Sequence, residues 1–257
     1  MERSLTLMNC KNCSVEFEGN YCPNCGQNAG VKRFTYSYFL KETFFSSLDI
    51  EHGFTYSIKV LFHRPGNAIR DYLQGKRLSL IVPGKYLILM GAISTFLAVQ
   101  YEIFKVPEIS EKFIWLPDVS GFFEFAAQYT TVTNIVTIPI FAFFSWIIFK
   151  NKGFNYAENT ILNIFITSQQ LFMLIILVPF VSLFQTINSE LVACYAILTL
   201  IYNVWVYLQF FRLKMISGTL LSLSAILLSY ASQFFFNYFI FAILPQHWVE
   251  YLADITL

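Results

Sequence analysis

The sequence predicts an all-α integral membrane protein of about five transmembrane helices. A small N-terminal zinc ribbon and cytosolic interfacial amphipathic helices precede the spans. Composition is the first of three observations behind this. The 257 residues are 56% hydrophobic and 19% aromatic with only 13% charged, against roughly a quarter charged in an average soluble domain. The second is the stretch "CKNCSVEFEGNYCPNCG", residues 10–26, with two C-x-x-C pairs. The third is a series of long apolar segments after residue 85. Net charge is +1, so any electrostatic message lies in where the charges sit and not in their sum.

Residues 1–30 form the expected ribbon. Each pair, Cys10 with Cys13 and Cys22 with Cys25, turns two thiolates toward one point, and two such knuckles supply the tetrahedral sulfur set that zinc prefers. Iron is the alternative, because four thiolates also suit it. No ligand position stays open, so the site is expected to be structural. Val15 and Phe17 alternate with polar residues, and Gly19-Asn20 offers a hairpin turn that would fold the second knuckle onto the first. Two disulfides would need an oxidising compartment, and a redox C-x-x-C normally comes singly on a βαβ pattern, absent here. Cys194 sits in an apolar run and reads as packing.

Residues 31–85 read as three short helices lying along the membrane surface. Phe39, Leu40, Phe44 and Leu48 share a helical face, while Lys41 and Glu42 interrupt any spanning run. A second helix fits Tyr56 to Phe62. A third starts at Pro65-Gly66 and stops at Gly75, with Ile69, Tyr72 and Leu73 as its apolar side. Arg64, Arg70, Lys76, Arg77 and Lys85 then form a basic shelf. It serves either as the positive-inside flank of the first span or as a binding surface for anionic lipid headgroups or a cytosolic protein.

Residues 86–257 hold the five expected spans, 86–104, 132–149, 161–184, 191–211 and 219–244, each near the ~20 residues a bilayer requires. None contains Lys, Arg or Asp, and the one carboxylate is Glu102 at the end of the first. Eleven of the seventeen Lys and Arg precede residue 86, and two fall in each of the stretches 105–131, 150–160 and 212–218. Fifteen of them therefore lie on one side, which puts the N-terminus in the cytoplasm and the C-terminus outside. No apolar signal region precedes the cysteine motif, so the first span is expected to act as the insertion signal.

Pro139 and Pro179 interrupt the second and third spans, and Ser168, Gln169, Gln170, Asn203, Gln209, Ser232, Gln233 and Asn237 place polar groups at membrane depth. Such groups are expected to bond across helices. A proton-coupled transporter would keep ionisable groups there, and none is present. The histidines, His52, His63 and His247, are scattered, with no H-E-x-x-H motif and no nucleophile elbow. Asp49, Glu51 and His52 form an acidic cluster that reads as loop solvation. No catalytic residue and no nucleic-acid partner is expected.

The ribbon, "RPGNAIRDYLQGKR" from Arg64 to Arg77, and "VPGKYL" leading into the first span together resemble domain-of-unknown-function family 3667, bacterial multi-span membrane proteins. The motif residues are Arg64, Pro65, Gly66, Tyr72, Gly75, Lys76 and Arg77. Ser14 departs from the glycine such knuckles often carry. The resemblance implies an inner-membrane architecture and no activity. The leading functional reading is a non-enzymatic scaffold or adaptor that uses the ribbon and shelf. The alternatives are a channel or transporter for a small or lipidic substrate, and a membrane enzyme acting on a phosphorylated lipid.

Overall fold

A computed structural model describes residues 7–45, 53–101, 130–183 and 188–243. Two short strands, β1 (Met8–Asn9) and β2 (Glu16–Phe17), pair antiparallel with Met8 opposite Phe17. Nine helices follow among the described residues. They are α1 (Tyr36–Phe45), α2 (Phe54–His63), α3 (Pro65–Gln74), α4 (Pro83–Gln100), α5 (Thr130–Val136), α6 (Ile138–Ile148), α7 (Tyr156–Leu183), α8 (Asn188–Phe211) and α9 (Met215–Ile243).

The ribbon folds differently from the expected hairpin. The strand pair closes over the first knuckle, and an isolated bridge between Tyr21 and Asn28 closes over the second. Gly19-Asn20 is the bend that joins these two small loops and not the turn of the strand pair. Each knuckle has its own backbone closure: the Cys10 amide donates to the Val15 carbonyl and the Cys22 amide to that of Gln27. Register is set locally around each C-x-x-C, which leaves no role for a turn between them.

Three short helices form within the expected stretch, and Leu48 of the first expected face lies outside the described residues. Pro65 occupies the first turn of α3, where its missing N–H is no loss, and Gly75 ends the helix at φ 116°, a left-handed conformation that glycine adopts without strain. The apolar side of α3 faces protein. Ile69, Tyr72 and Leu73 are buried, and α3 packs against α8. Gly66 permits this approach, since a Cβ there would lie 2.4 Å from the Phe210 amide nitrogen and 2.5 Å from the Val206 carbonyl oxygen. On α1, Leu40 and Phe44 stay exposed while Thr43 turns inward against Gly84.

Three helices, α7, α8 and α9, of 28, 24 and 29 residues, are long and apolar enough to cross a membrane. They correspond to the third, fourth and fifth expected spans. The first, 86–104, overlaps α4, which has 18 residues and carries Lys85 in its first turn; residues 102–104 lie outside the described residues. The second, 132–149, is two helices, α5 and α6, parted at Thr137. Pro139 has no N–H for the Ile135 carbonyl and its ring crowds that turn, so the helix restarts. α7 begins five residues earlier than expected. Asn155 and Glu158 cap it reciprocally, the Glu158 amide donating to Asn155 Oδ1 and the Asn155 amide to Glu158 Oε2, both at 2.8 Å.

α4 and α6 pack on α7, and α9 packs on α6 and α8. The core they share with α2 and α3 mixes aliphatic side chains with aromatic rings, of which Tyr72, Tyr86, Phe165, Tyr207, Phe210 and Phe211 are fully buried. Phe149 stacks on Phe211 at 4.1 Å. Some of the expected polar groups bond across helices, Tyr86 donating to Gln169 Oε1 at 2.7 Å and Gln170 to Asn203 Oδ1 at 3.0 Å, whereas Ser168 donates back to the Ile164 carbonyl of its own helix.

Candidate metal centre and its dock

The four cysteines converge. Their sulfurs all lie within 4.8 Å of one another, and the two closest pairs, Cys10 with Cys25 and Cys13 with Cys22, are at 3.5 Å. Disulfide sulfurs sit about 2 Å apart, so these are free thiols. A tetrahedron of metal–sulfur bonds of about 2.3 Å puts sulfurs about 3.8 Å apart, within the observed spread. The close pairs each take one cysteine from either knuckle, so folding of both is needed to assemble the set. Among the described residues this is the one cluster with metal-ligand geometry. Asp49, Glu51 and His52 lie outside the described residues.

Electrostatics favour a cation at this point. Hydrogen bonds from the Asn24 side chain and the Val15 amide hold Cys13 below the usual thiol range, at about 6. On Cys25 the lowering by the Gln27 amide is outweighed by burial and by the neighbouring thiols, and it rises to about 11. A sulfur cluster this tight does not ionise completely without a cation at its centre, and a bound metal ion replaces the protons. Ser14, the departure from the knuckle pattern, has φ 62°, the left-handed region where glycine is at ease.

One side chain beside the cluster ties the ribbon to the helices. Gln27, buried, donates from Nε2 to the Gly75 carbonyl at 2.7 Å and accepts from the Arg77 amide at 3.3 Å. It thereby satisfies backbone groups just past the end of α3. Lys11 lies over Gly75, where a Cβ would come within 2.8 Å of its side chain, and donates to the Val31 carbonyl at 2.8 Å. Arg77 continues the path inward. Its guanidinium stands 3.8 Å over the Phe34 ring and 4.9 Å over Tyr38, with one N–H on the Lys32 carbonyl. Phe34 stacks on Tyr72, and Tyr72 meets Phe165 of α7 edge to face. A second tie is Arg33, which grips the buried Glu158 through two bonds of 2.8 and 2.7 Å and also reaches the Gly153 carbonyl.

The basic shelf therefore divides. Arg70 and Arg77 turn inward: Arg70 donates to the Phe210 carbonyl at the C-terminal end of α8 and lies over the Phe154 ring. Arg64 and Lys76 are about half exposed and share Asp71, at 3.8 and 3.5 Å. Lys85 is half-buried and close enough to Glu42 to favour its charge; burial nonetheless raises the Glu42 carboxyl, against Arg77 and Lys85.

The elements that make this dock coincide with a recognisable stretch. Residues 51–95 match the model of a family described as protein of unknown function, DUF3667. The DUF3667 stretch spans α2 and α3 and most of α4, and its end lies beyond the "RPGNAIRDYLQGKR" and "VPGKYL" motifs. The cysteine ribbon lies outside the match. No curated protein and no solved structure matches the chain. Gly66, Tyr72, Gly75 and Arg77 of the DUF3667 stretch share a physical role, joining α3 to α8 on one side and to the ribbon on the other. The contacts of Gln27 and the pairing of Arg33 with Glu158 escape sequence reading. Only Glu158 leaves a local sign, the N-x-x-E capping box from Asn155.

Proposed function

We propose that the chain is a bacterial inner-membrane protein with five spans, a cytosolic N-terminus, and a structural zinc ion on Cys10, Cys13, Cys22 and Cys25. In this reading it works as a non-enzymatic scaffold or adaptor. The observation that carries it is the bridge from Gln27 to Gly75 and Arg77. A ribbon on a loose tether would search freely; one bonded to α3 presents its outer face, with Tyr21, Pro23 and Asn24 exposed, at a constant height and angle to the membrane. Ligand preorganisation of this kind lowers the entropy lost when a partner binds.

The test is affinity purification from native membranes of the wild-type chain beside a Cys22→Ser, Cys25→Ser double variant. A cytosolic protein held stoichiometrically by the wild type and lost from the double variant supports the scaffold; the same proteins on both would sink it. Topology has its own measurement. A reporter active only outside the cytoplasm should work after Leu257 and fail at residue 155, given the fifteen basic residues on one side.

Anionic headgroups at the shelf fall to the outward-facing pair. Replacing Arg64 and Lys76 by glutamine should lower the anionic lipid that co-purifies, each contributing about 1 kcal/mol near a charged leaflet, with bound metal unchanged. Unaltered lipid would reduce these two residues to a topology signal.

A further inference from the structure

The helices do not close where α5 gives way to α6. A cavity of about 330 Å³ lies there, walled by five helices, α5 to α9, and it reaches the lower end of the range of about 300–1,000 Å³ for small-molecule sites. Its polar wall is uncharged. Asn134, Asn163, Gln170 and Asn203 supply amides, and Thr167, Thr199, Tyr195 and Tyr230 supply hydroxyls; among the described residues no Asp, Glu, Lys, Arg or His lines it. The amides are held in place by each other and by neighbours. Gln170 donates to Asn203 at 3.0 Å, Gln233 to Asn134 at 2.9 Å, and Tyr207 to Asn163 at 3.1 Å. Asn163 also donates to the Ser145 hydroxyl and the Asn159 carbonyl, so its donors are committed. A primary amide has two donors and two acceptor lone pairs, so the single bonds of Asn134 and Gln170 leave capacity to spare.

The break at Thr137 is an independent sign. Irregular backbone at membrane depth is stable only where it is buried in protein or lines a polar cavity. Interrupted helices of this sort form the binding sites of many transporters. Thr137 is fully buried and its hydroxyl donates to the Thr133 carbonyl at 2.7 Å, while Asn134, in the last turn before the break, faces the cavity. The lining also has apolar members, Phe141, Ile166, Leu200 and Ile226 among them, and another of these, Leu227, is 64% exposed. The cavity thus has a lateral side toward lipid. An ion would enter with no countercharge in the lining and would remain unpaired in a low-dielectric interior.

We infer that this cavity is a binding site for an uncharged, hydroxyl-bearing group, the polar end of a neutral lipid or a free polyol. The inference is independent of the scaffold reading, since it uses none of the ribbon or dock residues. Dioleoylglycerol and glycerol are the two probes. Each is radiolabelled and its saturable binding is measured on the full chain in phosphatidylcholine nanodiscs, against empty discs. One dioleoylglycerol site per chain assigns the source to the bilayer, and a glycerol site without it assigns the source to solution; either supports the site.

Paired replacement of Gln170 and Asn203 by leucine removes both partners of one bond, so no buried amide is orphaned. It should weaken binding by at least about tenfold, the scale of one or two hydrogen bonds. Thr199→Val, which keeps the side-chain shape, should weaken it by about threefold or more, and helical circular dichroism with denaturant unfolding in detergent reports that both variants keep the helical body folded. No saturable binding of either probe overturns the inference. So does unchanged binding in both variants, or equal competition by dioleoylphosphatidylglycerol.

Discussion

Residues 7–30 bury only Cys10, Phe17 and Cys22 as a core of their own, whereas the helical body buries an aromatic and aliphatic core that runs from Phe34 to Ile226. A module of that size cannot remove enough apolar surface from water to offset the entropy of ordering its chain, and needs a staple. Its four sulfurs supply one. In the body, glycines and aromatic rings set how closely the helices approach. The two regions meet at few points, among them Gln27 on Gly75 and Arg77, Lys11 over Gly75, and Arg33 on Glu158. Damage to either should therefore stay within it, and damage to the junction should uncouple them.

The largest effect comes from removing the staple. Replacing Cys22 and Cys25 by serine should reduce bound zinc from about one per chain to none and open residues 7–30 to protease, while α7 to α9 stay folded. Cys194→Ser, an exposed residue, should leave metal content alone. Metal analysis and limited proteolysis read both. If the helical body unfolds with the ribbon, the two are one cooperative unit and the comparison is wrong.

Gly66→Ala strikes the other region. The added methyl meets backbone of α8, which cannot swing aside, and overpacking of this kind costs about 3 kcal/mol. Denaturant unfolding in detergent should show that loss, with metal binding retained. Loss of metal in parallel would mean that α3 transmits strain into the knuckles.

Gln27→Ala acts on the junction itself. It leaves the Gly75 carbonyl and the Arg77 amide without their partner in a buried setting, a change of about 2 kcal/mol. Metal should still bind, and the helices should still pack, but cleavage between residues 27 and 34 should rise. Unchanged protection there would show that Arg33 and Glu158 hold the ribbon without help.

Ser14→Gly is the smallest change and the one expected to stabilise. A non-glycine residue at φ 62° carries roughly 1 kcal/mol of strain, part of which glycine returns through its greater freedom when unfolded. Zinc affinity should rise by a few fold at most, measured by competition with a chelator.

Much of this layout is legible in the residues alone. The two C-x-x-C pairs announce a four-sulfur cluster because ligand spacing is a local property, and Pro65 with Gly75 bounds α3 because both act on their own backbone. The apolar runs that become α7, α8 and α9 are visible for the same reason. The hairpin turn at Gly19-Asn20 is misplaced because each knuckle closes its own loop, and turn propensity does not reveal which carbonyl a cysteine amide will choose. The split of 132–149 was foreshadowed by Pro139, though not the point where it falls.

Sequence by itself determined the two cysteine pairs, the limits of α3 and the apolar runs, all of which follow from neighbours within a few positions. Tertiary structure alone decided that Arg70 and Arg77 turn inward while Lys76, next to Arg77 in the chain, faces out. It also decided that Gln27 meets Gly75 across 48 residues, that Arg33 meets Glu158 across 125, and that amides from several helices surround one cavity. The physical reason is the range of the forces: a turn or a helix stop is settled by steric contacts a few bonds away, whereas the burial of a guanidinium depends on which distant rings and carbonyls packing brings within reach.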